Sequence, residues 1–408
     1  MNACRLSTGT ANQRLFLGYR IISRCYFHLP VLLLYFWTAE IGMYRIIFLL
    51  ALYGLTSTFS GSITSRLLRY YSPRQTVMLG EFIKALGIGL VLWSTRQSEV
   101  SLPLLVLSQL LGGVGFTLAL TTDAALLRQL TAGNQQQFMQ IQTASQSGMF
   151  IATLVAGSLG SVLFDYNPQW PFIAAILMSV IAAGFVLPIV APKEVSSAEP
   201  SAALPTLMIR ADQRFWMLFY AVSRAFTLAP FIGFIPFYFI MINVDPLLFG
   251  AVLSCFTLSS WLAIRIAGGV ITRYGVATLL AATSLFMTVS LGLFASGEWL
   301  SDQGIDYFFS SLLALVMLGF GSGTIRPVTL ANLDLSANTA AERMQIFSLM
   351  ERDFSLANAF LLANGAWLLI TKSFTDLMLT FCVLYIIVSG ISALFYVKHS
   401  TRNAHSSI

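Results

Sequence analysis

Arg24 and Arg224 stand two hundred residues apart in segments built alike. Ten positions before each lies another arginine (Arg14, Arg214), immediately before each a serine (Ser23, Ser223), and six positions after each a proline (Pro30, Pro230). Most residues between are apolar. Keeping an arginine at the centre of a bilayer costs roughly 2.5–3.5 kcal/mol on insertion scales, so keeping one at matched places in two halves points to use. Guanidinium is the group best suited to a two-pronged grip on carboxylate or phosphate. The expectation is that Arg24 and Arg224 face each other across a pathway and hold an anionic group.

Stepping outward from these two, Arg20, Arg24 and His28 are spaced i, i+4 and i+8, one face of a continuous helix. Arg20 either shares that face or snorkels to the cytoplasmic interface. Neutral donors recur on other apolar segments: Thr56 and Ser60, Gln142 and Gln146, Thr257 and Ser260. Glu81 and Lys84, at i and i+3, read as a self-neutralising structural pair. Asp123 is either a brace for a neighbouring arginine or a proton carrier. Near the other end, Ser348, Glu351, Arg352, Ser355 and Asn358 form one polar stripe, with Asp353 pointing away. Buried ionisable residues usually face one another or water. Glu351, with Arg352 beside it, is therefore the first choice for a group whose protonation changes during a working cycle. The alternative is a static pairing of Arg352 with Glu351 or Asp353. Arg265 either lines the pathway or pairs with a neighbouring loop.

The elements that must position these groups are membrane helices. The chain is 57% hydrophobic and 10% charged, against about a quarter charged in soluble domains. A span needs about 20 mostly apolar residues, and the sequence offers twelve such runs, at 15–38, 46–66, 75–94, 103–127, 139–164, 170–191, 213–241, 247–270, 276–296, 307–328, 345–371 and 375–397. The first is too long for a secretory signal and has no small-residue cleavage site behind it. The four cysteines make neither a metal spacing nor a disulfide framework. Nothing calls for a cofactor, and no His, Asp or Glu cluster at catalytic spacing lies within the apolar runs, which argues against an enzyme.

The net charge of +6 is a topology signal and carries no implication of nucleic-acid binding. Lys and Arg gather on alternate loops, the positive-inside pattern, which places both termini in the cytoplasm and demands an even number of spans. The expected organisation is a cytoplasmic tail (1–13), a six-helix bundle (14–191), a Pro/Ser/Ala-rich linker (192–212), a second six-helix bundle (213–397) and a second tail (398–408). Internal echoes support duplication. Arg24 and Arg224 are offset by 200, and Met139-Gln140-Ile141 and Met344-Gln345-Ile346 by 205. A third pair, offset by 203, lies after the second and eighth spans, where Ser65 through Ser72, followed by Arg74, matches Gly268 through Gly275, with Arg273 among them.

That third pair resembles the major facilitator superfamily, whose 2–3 and 8–9 loops carry Gly-x-Leu-Ala-Asp-Arg-x-Gly-Arg-Arg. Gly268, Arg273 and Gly275 fit it; in the first copy Ser65, Arg69 and Ser72 stand for glycine, aspartate and glycine, and Thr272 replaces the aspartate in the second. Asp123-Ala124-Ala125-Leu126-Leu127 resembles an efflux-type signature at the end of the fourth span. The resemblance implies an all-α membrane protein of twelve transmembrane helices in two pseudo-symmetric six-helix bundles. It also implies that spans 1, 4, 7 and 10 line a central cavity, placing Arg24, His28 and Arg224 on it, and some phosphate-handling members use an arginine pair on spans 1 and 7. The function expected is secondary active transport by alternating access, with a small carboxylate-bearing or siderophore-like anion exported on the proton gradient. The setting expected is a monomer in the cytoplasmic (inner) membrane, with solute and lipid as its partners. A broad-specificity drug/proton antiporter is the runner-up, and a proton-coupled uptake symporter comes third.

Overall fold

The computed structural model describes residues 2–68, 70–97, 99–131, 134–190, 209–336 and 340–406, with side chains described over a somewhat smaller set. Among these residues every regular element is a helix. In chain order they are α1 Asn2–Ile22, α2 Leu32–Thr38, α3 Met43–Leu67, α4 Pro73–Thr95, α5 Leu102–Leu130, α6 Gln135–Tyr166, α7 Trp170–Val186, α8 Ala211–Ala229, α9 Ile235–Met241, α10 Pro246–Tyr274, α11 Val276–Ala295, α12 Gly297–Asp302, α13 Tyr307–Ser336, α14 Ala340–Thr371 and α15 Phe374–Ser406. A π-helical turn, Pro230–Phe234, joins α8 to α9. Helical bonding is the one way an open backbone satisfies its own polar groups in hydrocarbon, so composition and architecture agree.

Among the described residues, ten helical stretches are long and apolar enough to cross a membrane. They meet ten of the twelve expected spans, and α7, the sixth, is an apolar helix of 17 residues. The first differs from expectation. In place of one helix over 15–38, α1 ends at Ile22 and residues 23–31 leave the helix before α2 begins. Arg24 and His28 therefore do not share a helical face with Arg20. Two further boundaries moved: α1 already starts at Asn2, within the expected tail, and α15 runs to Ser406. Most of the expected linker lies outside the described residues.

The chain divides into two compact units. One comprises Met1–Ile41, Leu52–Pro205 and Pro246–Ala251; the other comprises Gly42–Ala51, Thr206–Asp245 and Val252–Ile408. Within the first, α4 and α5 touch through glycine. A methyl group added at Gly80 would lie 2.6 Å from the Ala119 nitrogen, one at Gly87 2.8 Å from the Gly112 nitrogen, and one at Gly115 2.7 Å from the Gly80 oxygen. Small residues permit such contact where lipid removes the hydrophobic drive for packing. Within the second unit α13 does the same on two sides: Gly319 and Gly323 abut Phe256 and Ser260 of α10, and Gly321 abuts Met287 of α11. Overpacking a tight contact costs about 1–3 kcal/mol. Gly115→Leu is expected to lower the thermal midpoint in fluorescence-detected size exclusion, whereas Gly184→Leu, with no atom within 4 Å of its added carbon, should leave it unchanged.

Within the first unit Phe16, Tyr19, Val77, Leu126, Leu127, Ile141, Ala182, Val186 and Ile189 form one buried apolar cluster.

Candidate functional site

Each unit holds a polar cluster, buried in the first and half-buried in the second. In the first, the last turn of α1 presents Arg20 to α5 and α6. Its Nε lies 3.1 Å from Asp123 Oδ2, and its Nη1 donates to Gln142 Oε1 at 2.5 Å and to Ser145 Oγ at 2.8 Å. Both charges are buried. Asp123 sits seven residues before the end of α5, about 10 Å at 1.5 Å per residue. Arg20 and Gln142 thus brace three helices, with the guanidinium fork occupied from within the protein. The side chain of Gln146 lies outside the described residues.

A second buried pair joins α4 to the interruption of the first span. Lys84 Nζ lies 2.5 Å from Glu81 Oε2, and the other carboxylate oxygen accepts from Ser23 Oγ at 2.5 Å. Lys84 also donates to the Ser23 carbonyl and hydroxyl, both at 3.3 Å. The i, i+3 reading of this pair holds; its attachment to Ser23 was not legible from spacing.

Arg24, the next residue, is buried. Its guanidinium donates to the Tyr26 hydroxyl and lies 5.5 Å from the centre of the Phe116 ring. His28 packs its ring 5.7 Å from that of Phe172, and its Nδ1 has no hydrogen-bond partner among the described residues. Cations and anions can be matched off. Arg20 goes with Asp123 and Lys84 with Glu81, leaving Arg24 without a carboxylate among the described residues.

The second unit repeats the plan with different charges. Tyr220 on α8 donates to Glu351 Oε1 on α14 at 2.9 Å, and Arg326 Nη2 on α13 lies 3.1 Å from the same oxygen. Tyr220 is Arg20 plus 200, Arg326 is Asp123 plus 203, and Glu351 is Gln146 plus 205. In sequence these three positions hold a cation, an anion and an amide in one half and a phenol, a cation and an anion in the other, while Gln142, the amide that Arg20 contacts, corresponds to Phe347. The expected tenth span, 307–328, ends just beyond Arg326 and Pro327. The helix instead accommodates Pro327 and continues to Ser336, setting Arg326 ten residues inside. Arg352, expected beside Glu351, pairs with Asp353 at 2.8 Å.

Among the half-buried arginines described in this unit, matching again leaves one. Arg326 goes with Glu351 and Arg352 with Asp353. Arg224 lies 5.8 Å from the Tyr220 ring centre and 5.4 Å from that of Phe354, and its buried Nε has no hydrogen-bond partner among the described residues. Rings cover guanidinium faces and leave its N–H edge open to a planar anion. Arg265 is exposed on α10, over Trp261.

The loop motif is realised unequally. Gly275 takes φ +85° at the start of α11, a conformation that glycine adopts without strain. Its counterpart Ser72 uses side-chain chemistry, accepting from the Gln75 amide while Gln75 Oε1 accepts from the Ser72 amide, a capping box. Arg74 donates to the Leu187 carbonyl. Gly268 and Arg273 are exposed, Arg273 lying over Tyr274, and Arg69 is outside the described residues.

Residues 25–350 match the family model of the Major Facilitator Superfamily. Similar solved structures include a point mutant of the nucleoside transporter NupG (13% identity, TM-score 0.76, covering 95% of this chain and 100% of that one). Others are a bacterial homologue of the iron transporter ferroportin in an inward-facing state (13%, 0.70, 95% and 98%) and an auto-inhibited POT family peptide transporter (13%, 0.74, 94% and 96%). At such identity the likeness is one of fold. No curated protein sequence matches the chain.

Proposed function

This chain belongs to the Major Facilitator Superfamily and is a multi-pass membrane transporter, and from that premise we propose that it carries a small organic anion, bearing carboxylate, by alternating access. The observation behind this reading is the charge count. Among the described residues, each buried or half-buried carboxylate has a cation within 4 Å, whereas Arg24 in one unit and Arg224 in the other lie against aromatic rings with no carboxylate within that distance. Those are the two positions that the duplicated sequence keeps alike. A cation held among aromatic rings without a counter-ion is a site ready for an anionic guest. Arg20 and Gln142 serve as bracing, with His28, Arg24 and Arg224 toward the solute.

Glu351, held by Tyr220 and Arg326, is our choice for the group that takes up and releases the proton. The efflux-type sequence at Asp123 favours export, and the positive-inside pattern favours a twelve-span chain with both ends in the cytoplasm. The test is a solute profile by untargeted mass spectrometry, of cells and medium, with and without the protein. An organic acid is expected to rise in the medium and fall in the cells when the protein is present. Enrichment confined to cations or neutral compounds would defeat the anion reading.

A further inference from the structure

The two halves share Ser-Arg and a proline six residues later, yet the first span is interrupted over residues 23–31 while α8 continues as helix through Ser223 and Arg224 to Ala229. Proline cannot explain the difference, since Pro30 and Pro230 are matched and the second is absorbed by a π-turn. What differs is the neighbouring helix. Glu81 and Lys84 on α4 correspond, at the offset of 203, to Ser284 and Met287 on α11, two neutral residues. The same offset relates the helix starts Pro73 and Val276, which fixes the register.

A helix that stops inside a membrane leaves carbonyls without donors and a partial negative charge at its end. Lys84 answers both by placing its ammonium 3.3 Å from the Ser23 carbonyl, and Glu81 holds the Ser23 hydroxyl and balances the lysine. On the far side Thr153 Oγ1 donates to the Arg24 carbonyl at 3.3 Å. Gly160 lets the Phe27 backbone approach so closely that an added methyl would overlap the Phe27 carbonyl. The interruption is therefore seated from two sides, and Arg24 hangs between them.

We propose that Glu81 and Lys84 are positioning residues for the anion-binding Arg24: together they cap the broken first span and so hold that guanidinium off the helical path its counterpart follows. The claim rests on the anion reading above and concerns how Arg24, and not Arg224, is placed. Neither Glu81 nor Lys84 touches the cargo.

The experiment installs the neutral pair of the other half, Glu81→Ser with Lys84→Met, in the full-length protein in nanodiscs. Deuterium uptake over residues 23–31 is followed by mass spectrometry, and citrate is the anion probe. Helix regained across the interruption slows exchange there by at least about tenfold, and citrate affinity falls by at least about tenfold, while Lys84→Arg keeps both near wild type. If the double variant does not assemble, Glu81→Gln with Lys84→Gln, neutral and polar, is read the same way. Exchange unchanged from wild type overturns the proposal. Slowed exchange with citrate affinity retained, although Arg24→Gln abolishes it, also overturns it, because Arg24 would then be placed without the cap. Citrate affinity that even Arg24→Gln leaves untouched counts against the anion reading, and the cap is then judged on exchange alone.

Discussion

Arg224→Gln is expected to leave the protein in the membrane at wild-type level, with an equal or higher thermal midpoint, and to reduce transport of the anionic solute at least 30-fold. Arg24→Gln should behave in the same way. Two opposing effects are combined here. Truncating one partner of a buried, hydrogen-bonded charge pair costs about 2–5 kcal/mol, and each 1.4 kcal/mol is tenfold, so the loss of cargo binding is large. The empty protein loses nothing comparable, because neither arginine has a carboxylate partner among the described residues, and removing a cation without one relieves desolvation. Arg20→Gln is the contrast: it strands Asp123, buried beside it at 3.1 Å, and breaking such a pair costs about 3–5 kcal/mol of stability. Separating the two classes needs only a transport assay and a thermal ramp on the same preparations. Wild-type transport by Arg224→Gln, or a thermal midpoint that falls as far as that of Arg20→Gln, would remove Arg224 from the cargo site.

The sequence announced the membrane class, the duplication and the two arginines because each of these is a property of one segment or of two segments compared. Apolar runs have to appear as runs, and an arginine in one of them has no local explanation. The misreadings share a different cause. Glu81 and Lys84 explain each other at i, i+3, so nothing on α4 pointed to Ser23, 58 and 61 residues away. The break in the first span was hidden because its proline recurs where helix persists. Arg326 falls at the end of the expected tenth span and its partner Glu351 lies on another helix, so spacing could not join them. Arg352 has two candidate partners one step away on its own helix, Glu351 and Asp353, each about 100° round from it, so spacing left both open and the structure pairs it with Asp353. Partners across helices are fixed by packing, and here packing is set by glycines such as Gly115 and Gly323. Their presence could be read from the chain, though which helix each would meet could not.

Glu351→Gln is expected to preserve exchange of solute for solute while abolishing accumulation against a gradient. One oxygen of this carboxylate receives both the Tyr220 hydroxyl and the Arg326 guanidinium, so its protonation removes the negative charge between them. Tyr220 links that change to Arg224: its ring lies against Arg224 and its hydroxyl reaches Glu351. On the coupling role proposed for Glu351, its protonation changes the charge that faces the anion and a bound anion changes its protonation; that reciprocity is what coupling requires. The carboxylate is also reachable, its side chain being 38% exposed. Glutamine fixes the uncharged state, so proteoliposomes carrying it should still equilibrate labelled solute by counterflow. A difference of one pH unit is about 1.4 kcal/mol per proton and sustains at most tenfold accumulation at one proton per cargo. The variant should give a ratio of one under the same gradient. Accumulation at the wild-type ratio would show that the proton travels by another carboxylate, with Glu81 and Asp123, buried in the other unit, next in line.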